Sequence, residues 1–385
     1  MNYPFPANFE PSAIPSPSYV IDTYLLEQNC RLIDRVQQRT GAKVLLALKG
    51  FAAFSTFPIV SRYLRGTTAS GLIEALLGYE TFGGELHVYS PAFQLDEIQH
   101  LTRIADTLTF NSTQQWQKFR SIVEKAPRPI HCGLRINPEY SEIATEIYNP
   151  CAANSRLGIT CEALKAADLS GITGLHFHTL CEQNADTLQR TLQVVEQKFG
   201  PWLEQMNWVN FGGGHHITRE DYDIDLLCQI ISDFKQKFSV DVYLEPGEAV
   251  ALNTGYLVTT VLDIVHNDMD IAILDTSATA HMPDVLEMPY RPTLIGATEP
   301  HVAPHTYRLG GLTCLAGDVI GDYAFPEPLK IGDKLIFTDM SHYTMVKNTT
   351  FNGVPLPAIV LFDSESGNLQ TVRTFHYSDY RNRLS

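Results

Sequence analysis

Eight short apolar runs recur over the first two-thirds of this chain, and they leave few architectures open. They are AKVLLALK (42–49), TTASG (67–71), LHVYSPA (86–92), LTFNS (108–112), HCGLRINP (131–138), GLHFHTL (174–180), WVNFGGG (208–214) and DVYLEPG (241–247). Most intervals between them hold a helix-like segment, such as IEALLGYETFG at 73–83 and DTLQRTLQVVEQKFG at 186–200. Strands alternating with helices imply a parallel sheet, and eight such units close a (β/α)8 barrel, the TIM barrel of the α/β class.

Nearly every run ends on a polar or glycine-rich position: Lys49, Ser70, Asn111, Arg135, His178, Gly212–Gly214 and Glu245. Barrels of this kind build their active sites from several strands at that end. After Gly255 the helices largely stop, and GYLVTTVLDIV, MDIAILDTSA, DKLIFTDM and PAIVLFD read as strands between proline- and glycine-rich turns. The expected organisation is a barrel over 26–254 and a mostly β domain made of 1–25 with 255–385. The strand SYVID (18–22) is expected in the β domain.

Composition excludes some functions. A formal net charge of −15 argues against nucleic acid and suits a cationic substrate. No apolar stretch reaches the roughly 20 residues of a membrane span, so no membrane partner is expected. The first residues show no basic start followed by an apolar run, so a secretory leader is not expected. The seven cysteines are scattered without a CxxC pair, which points to no zinc site, no disulfide framework and a reducing cytoplasm.

Each chemistry-bearing position admits two readings on its own. Lys49 ends the aliphatic strand LLALKGF; it is either a snorkelling strand-end lysine or a desolvated amine able to condense with an aldehyde. FGGG (211–214) is a plain tight turn or a loop whose backbone N–H groups approach an anion. Glu245 in LEPGE opens a Pro-Gly turn, or faces a pyridine nitrogen and keeps it protonated. His178 is an internal hydrogen-bonded histidine or a flat ring for a planar cofactor, with His176 on the same side by strand alternation. Cys314 in GGLTCLAGD is a small filler like the other cysteines or a functional thiol.

Together these positions resemble the fold type III decarboxylases dependent on pyridoxal 5'-phosphate (PLP). That superfamily includes the ornithine and diaminopimelate decarboxylases and is related to alanine racemase. The resemblance runs through LALKG, ASGLIE, LTFNS, GLRINP, SRLG (155–158), HFHTL, NFGGG, LEPGE, GLTCLAGD and MSHYTMVKNTTFNG. It implies that Lys49 carries PLP, His178 stacks on its ring and Glu245 partners the pyridine nitrogen. It further implies that Gly212, Gly213 and Gly214 hold the phosphate, with Tyr343 reaching it from the β domain and Cys181 near it. Arg135 would brace the cofactor side. Cys314 would reprotonate the carbanion and come from a partner subunit, so a homodimer with shared sites is implied.

Two departures narrow the resemblance. Relatives acting on ornithine or diaminopimelate read EPGR where this chain has Glu248, and the ornithine enzymes follow the cysteine with an aspartate where Leu315 stands here. With ATAHMPDVLEMPYRP (278–292) these features resemble the branch acting on carboxynorspermidine and carboxyspermidine. A tail of two cations calls for several carboxylates, and Glu248, Asp284 and Asp318 are the candidates. Asp284 also reads as a turn residue after Pro283.

Overall fold

The computed structural model describes residue 6 and residues 8–385. The first residues, on which the reading of no leader partly rests, lie in part outside the described residues. The chain divides into two compact units, one of Gln28–Val250 and one in which residues up to Glu27 join Ala251–Ser385.

Strand β1 (Ser18–Asp22) belongs to the second unit. The first unit is built on β2 (Lys43–Ala47), β3 (Gly66–Ala69), β4 (Glu85–Ser90), β5 (Thr107–Phe110), β6 (His131–Asn137), β7 (Ile159–Thr160), β8 (Gly174–His176), β9 (Trp208–Asn210) and β10 (Asp241–Leu244). All pairings here are parallel, and β2, β3, β4, β5, β6, β8, β9 and β10 close into a ring as β10 pairs with β2. The two-residue β7 lies outside the ring on β6. All eight strands read from the sequence are present in this barrel.

The helices between strands bury one face each. In Ala185–Leu203 the residues Leu188, Leu192, Val195, Phe199 and Leu203 recur at three- and four-residue steps and are buried. Each such side chain contributes about 1.5–3 kcal/mol of burial. Asn184 and Asp223 cap the starts of this helix and of Ile224–Phe238 by accepting from Ala185 and Leu226 N–H.

Side chains close the barrel at the N-terminal ends of its strands. Lys43 Nζ donates to Tyr243 Oη at 2.9 Å, and Tyr243 Oη donates to Glu85 Oε2 at 2.9 Å. His87 packs on Tyr243 with ring centroids 4.7 Å apart. Burial works to raise the Glu85 pKa, but the hydrogen bond to His87 and the Lys43 charge outweigh it and bring the carboxyl down to about 2.

In the second unit β1 pairs antiparallel with β11 (Gly255–Asn267). The sheet continues through β12 (Met269–Leu274), β13 (His305–Gly310) and β14 (Val319–Phe325), while β15 (Lys334–Thr338) also pairs with β11. On its other side β1 runs parallel to β16 (Ala358–Phe362), followed by β17 (Leu369–Arg373). Every residue of β1 is buried. Tyr19 enters one apolar cluster with Leu257 and Phe337, and Val20 enters another with Val258 and Phe362, so both faces of the strand are core.

Candidate active site

Six barrel strands deliver polar side chains to their C-terminal ends. Lys49 follows β2, Tyr89 and Arg135 lie in β4 and β6, His176 ends β8 with His178 just beyond, Asn210 ends β9, and Glu245 follows β10. The strand ends converge because the ring is closed.

Glu245 is the hub. It is buried, accepts from Asn210 Nδ2 at 2.7 Å, and has His176 Nε2 3.5 Å from its other oxygen. Burial alone would raise its pKa, but His176 and the Asn210 amide outweigh that and hold it ionised. Its own N–H donates to Gly212 O at 2.8 Å.

The glycine run is a cradle that no side chain could share. A Cβ on Gly212 would stand 2.5 Å from Phe177 O, on Gly213 2.4 Å from Glu245 O, and on Gly214 1.9 Å from Leu180 O. Gly212 and Gly214 also have φ of 70° and 81°. Two of the three amides are committed within the site: Gly212 N–H donates to Asn210 Oδ1 at 2.8 Å, and Gly213 N–H to His178 Nδ1 at 3.1 Å. The loop therefore orients site residues as well as offering a concave backbone.

That bond fixes the His178 ring. Nδ1 accepts, so the ring proton sits on Nε2, and burial followed by the charges of Lys49 and Arg135 keeps the imidazole neutral well below its ordinary pKa. His176, His178 and Glu245 bring ligand-type atoms within 4.8 Å of one another. A metal on His178 would have to displace the Nε2 proton, so the set fits a flat hydrogen-bonding ligand better than an ion.

Solvent reaches the Lys49 side chain at the barrel mouth. Protein nevertheless surrounds it closely enough that desolvation is the first cause of a lowered pKa, with the Arg135 charge second. Burial pushes the nearby Cys181 thiol up to about 11, so it is a neutral thiol at neutral pH. Glu248 has His216 Nε2 3.5 Å from its carboxylate.

The other expected residues lie in the second unit. Cys314 is exposed, and its N–H donates to Asn352 Oδ1 at 2.8 Å. Tyr343 is half-buried and opens the short helix Tyr343–Val346. Asp284 shares the Lys347 ammonium with Glu287. Asp318, expected to face a substrate amine, is instead 4% exposed and committed to donors of its own unit. It accepts from Ser277 Oγ at 2.8 Å, Thr279 N–H at 3.1 Å, and Thr313 N–H and Oγ1 at 3.1 and 2.7 Å. A Cβ on Gly311 would come 2.4 Å from Asp318 Oδ2, so the glycine makes room for that carboxylate. Asp318 thus ties the two ends of the loop that bears Cys314.

Sequence reasoning gave no role to Asn210, Tyr89 or His176. His176 and Asn210 end strands on the inner face, a signal that period-two alternation offers. Tyr89 reads as an ordinary β-forming aromatic.

A closed parallel barrel with a lysine, an ionised glutamate and a glycine cradle at one rim, joined to a mostly β unit, is the architecture of the fold type III pyridoxal-dependent decarboxylases. Residues 18–341 match the family described as "Pyridoxal-dependent decarboxylase, C-terminal sheet domain", and the chain belongs to that family. It is 48% identical over 378 residues to the carboxynorspermidine/carboxyspermidine decarboxylase of Campylobacter jejuni, covering 95% of this chain and 98% of that one. It is also 48% identical over 375 residues to the carboxyaminopropylagmatine decarboxylase of a Synechocystis species, covering 97% and 96%. The crystal structure of carboxynorspermidine decarboxylase from Campylobacter jejuni complexed with norspermidine superposes with a TM-score of 0.89 at 47% identity, over 96% of this chain and all of that one.

Proposed function

We propose that this protein removes the α-carboxylate of a carboxylated polyamine, carboxynorspermidine or carboxyspermidine, to give norspermidine or spermidine. The observation that carries the reading is the Glu245 site, a buried carboxylate that accepts from Asn210 and faces His176, in a chain 48% identical to a carboxynorspermidine/carboxyspermidine decarboxylase over nearly its whole length.

The residues fit PLP. Its phosphate suits the cradle of Gly212, Gly213 and Gly214, where a Cβ has no room and Gly214 closes the curve. Tyr343 and Cys181 are assigned to the same end. A flat neutral ring at His178 meets a cationic pyridine face without charge repulsion, and the ionised Glu245 keeps the pyridine nitrogen protonated. Bound there, PLP supplies the electron sink that decarboxylation requires. Lys49, whose pKa is lowered by the surrounding protein and the Arg135 charge, would be the amine that holds the PLP aldehyde. Arg135 supplies fixed positive charge beside both groups.

Cys314 is assigned as the proton donor to Cα, on a loop tied by Asp318 and Asn352. Apolar Leu312 and Leu315 are exposed on that loop, and Phe351 is exposed beside Asn352. Such a patch around an exposed thiol suits burial against a second copy, so the working form is a homodimer with shared sites. Glu248 and Asp284 are assigned to the cationic tail, with Asp318 reassigned to the loop. Seven free cysteines suit a reducing cytoplasm.

A second substrate is favoured by one finding, the equal 48% identity to the carboxyaminopropylagmatine enzyme. That compound ends in a guanidinium rather than an ammonium. The test is CO2 release from PLP-loaded protein given carboxynorspermidine, carboxyspermidine, carboxyaminopropylagmatine, meso-diaminopimelate and ornithine in parallel. Turnover of the first two supports the proposal, and turnover of the guanidino compound alone supports the second reading. Diaminopimelate or ornithine as the sole substrate overturns both.

A further inference from the structure

We propose that Tyr89 is a positioning residue of this site, its ring face holding the Arg135 guanidinium in place beside Lys49. The inference rests on the reading of the barrel rim as a PLP site. Arg135 is only 7% exposed, and among the described residues it makes no ion pair with a carboxylate. A buried guanidinium left so is costly. Its contacts include a hydrogen bond from Nη2 to His178 O at 3.2 Å, the Tyr89 ring, whose centroid lies 4.7 Å from Cζ, and a hydrogen bond to the Tyr89 hydroxyl. A buried cation over an aromatic face gains more than an exposed one, and Arg135 is buried.

The ring is itself held on two sides. Tyr89 Oη donates to Asn111 Oδ1 at 2.8 Å, and the edge of the ring meets His176 with centroids 5.6 Å apart. Asn111 in turn accepts from Gly158 N–H at 2.7 Å and donates to Arg156 O at 2.8 Å. Tyr89 therefore connects the segment 155–158 to Arg135 on one side and to the His176–Glu245 pair on the other. A leucine at 89 would fill much of the space but offer no π face, freeing the guanidinium to turn toward water. The fixed positive charge felt by Lys49 and His178 would then weaken.

The test reads the pH titration of the visible absorbance band of the PLP-loaded protein. In Tyr89→Leu the midpoint is expected to rise by about half a pH unit or more, while Tyr89→Phe, which keeps the ring face and loses only the bonds of the hydroxyl, is expected to rise by less. On an Arg135→Leu background, Tyr89→Leu is expected to add nothing, because the effect passes through Arg135. Should Tyr89→Leu fold poorly, phenylalanines carrying increasing numbers of ring fluorines at position 89 weaken the π face at nearly constant volume. A stepwise rise in midpoint supports the inference. A wild-type midpoint in both the leucine and the fluorinated proteins overturns it. If the wild-type protein forms no PLP band at all, the PLP reading fails instead, so the two failures are distinguishable.

Discussion

Glu245 shows how much one carboxylate can depend on its neighbours. Asn210 donates to one oxygen, His176 faces the other, and its backbone is tied to Gly212, which is tied back to Asn210. Glu245→Gln keeps the shape but cannot hold a pyridine nitrogen protonated. The variant is expected to retain the PLP absorbance yet lose CO2 release by about 10²-fold or more, read by comparing spectrum with turnover. Cys314→Ala is expected to cut kcat by about 10²-fold with little change in KM, the magnitude of a lost proton donor, measured in steady-state assays. That Lys49, Glu245 and the glycine run stand together at one rim was legible because they end strands in residue types that a plain surface has little use for. Tyr89 was not, because its importance comes from a guanidinium on another strand. The donors around Asp318 were hidden for a related reason: a carboxylate's sequence position does not show how many donors its own fold will turn toward it.

At the scale of elements, the helices and strands followed their periodicities, and the turns carry the unusual backbone. Gly214 has φ of 81° and a carbonyl 1.9 Å from where a Cβ would lie. Gly214→Ala is expected to distort the loop, destabilise the protein by about 1–3 kcal/mol and weaken PLP binding, read by thermal unfolding and PLP titration. In the helix Ala185–Leu203, Phe199→Ala should cost about 3–5 kcal/mol without altering the PLP spectrum of the folded fraction. The eight strands were readable because parallel strands buried on both faces are continuous apolar runs. The short β7 was not, since two residues carry no pattern.

For the whole molecule, acid sensitivity is expected to come partly from the floor of the barrel. The Glu85 carboxyl is lowered from its ordinary 4.5 to about 2, so its contribution is present above pH 4.5 and is lost as pH falls from about 4.5 toward 2. Glu85→Gln should flatten that part of the stability profile, followed by melting temperature against pH. If the sites are shared, mixing the inactive Lys49→Ala protein with the strongly impaired Cys314→Ala protein should restore about a quarter of wild-type activity through heterodimers with one intact site. No recovery after subunit exchange would place Cys314 and Lys49 of one site on the same chain.

The position of β1 bears on how the molecule is made. A ribosome releases this strand early, yet both of its pairing neighbours, β11 and β16, follow the entire barrel. Apolar on both faces, it has to wait while the barrel units emerge one after another. The β unit is therefore the last part of the chain to become whole, and its first strand is the segment in greatest need of shelter during synthesis.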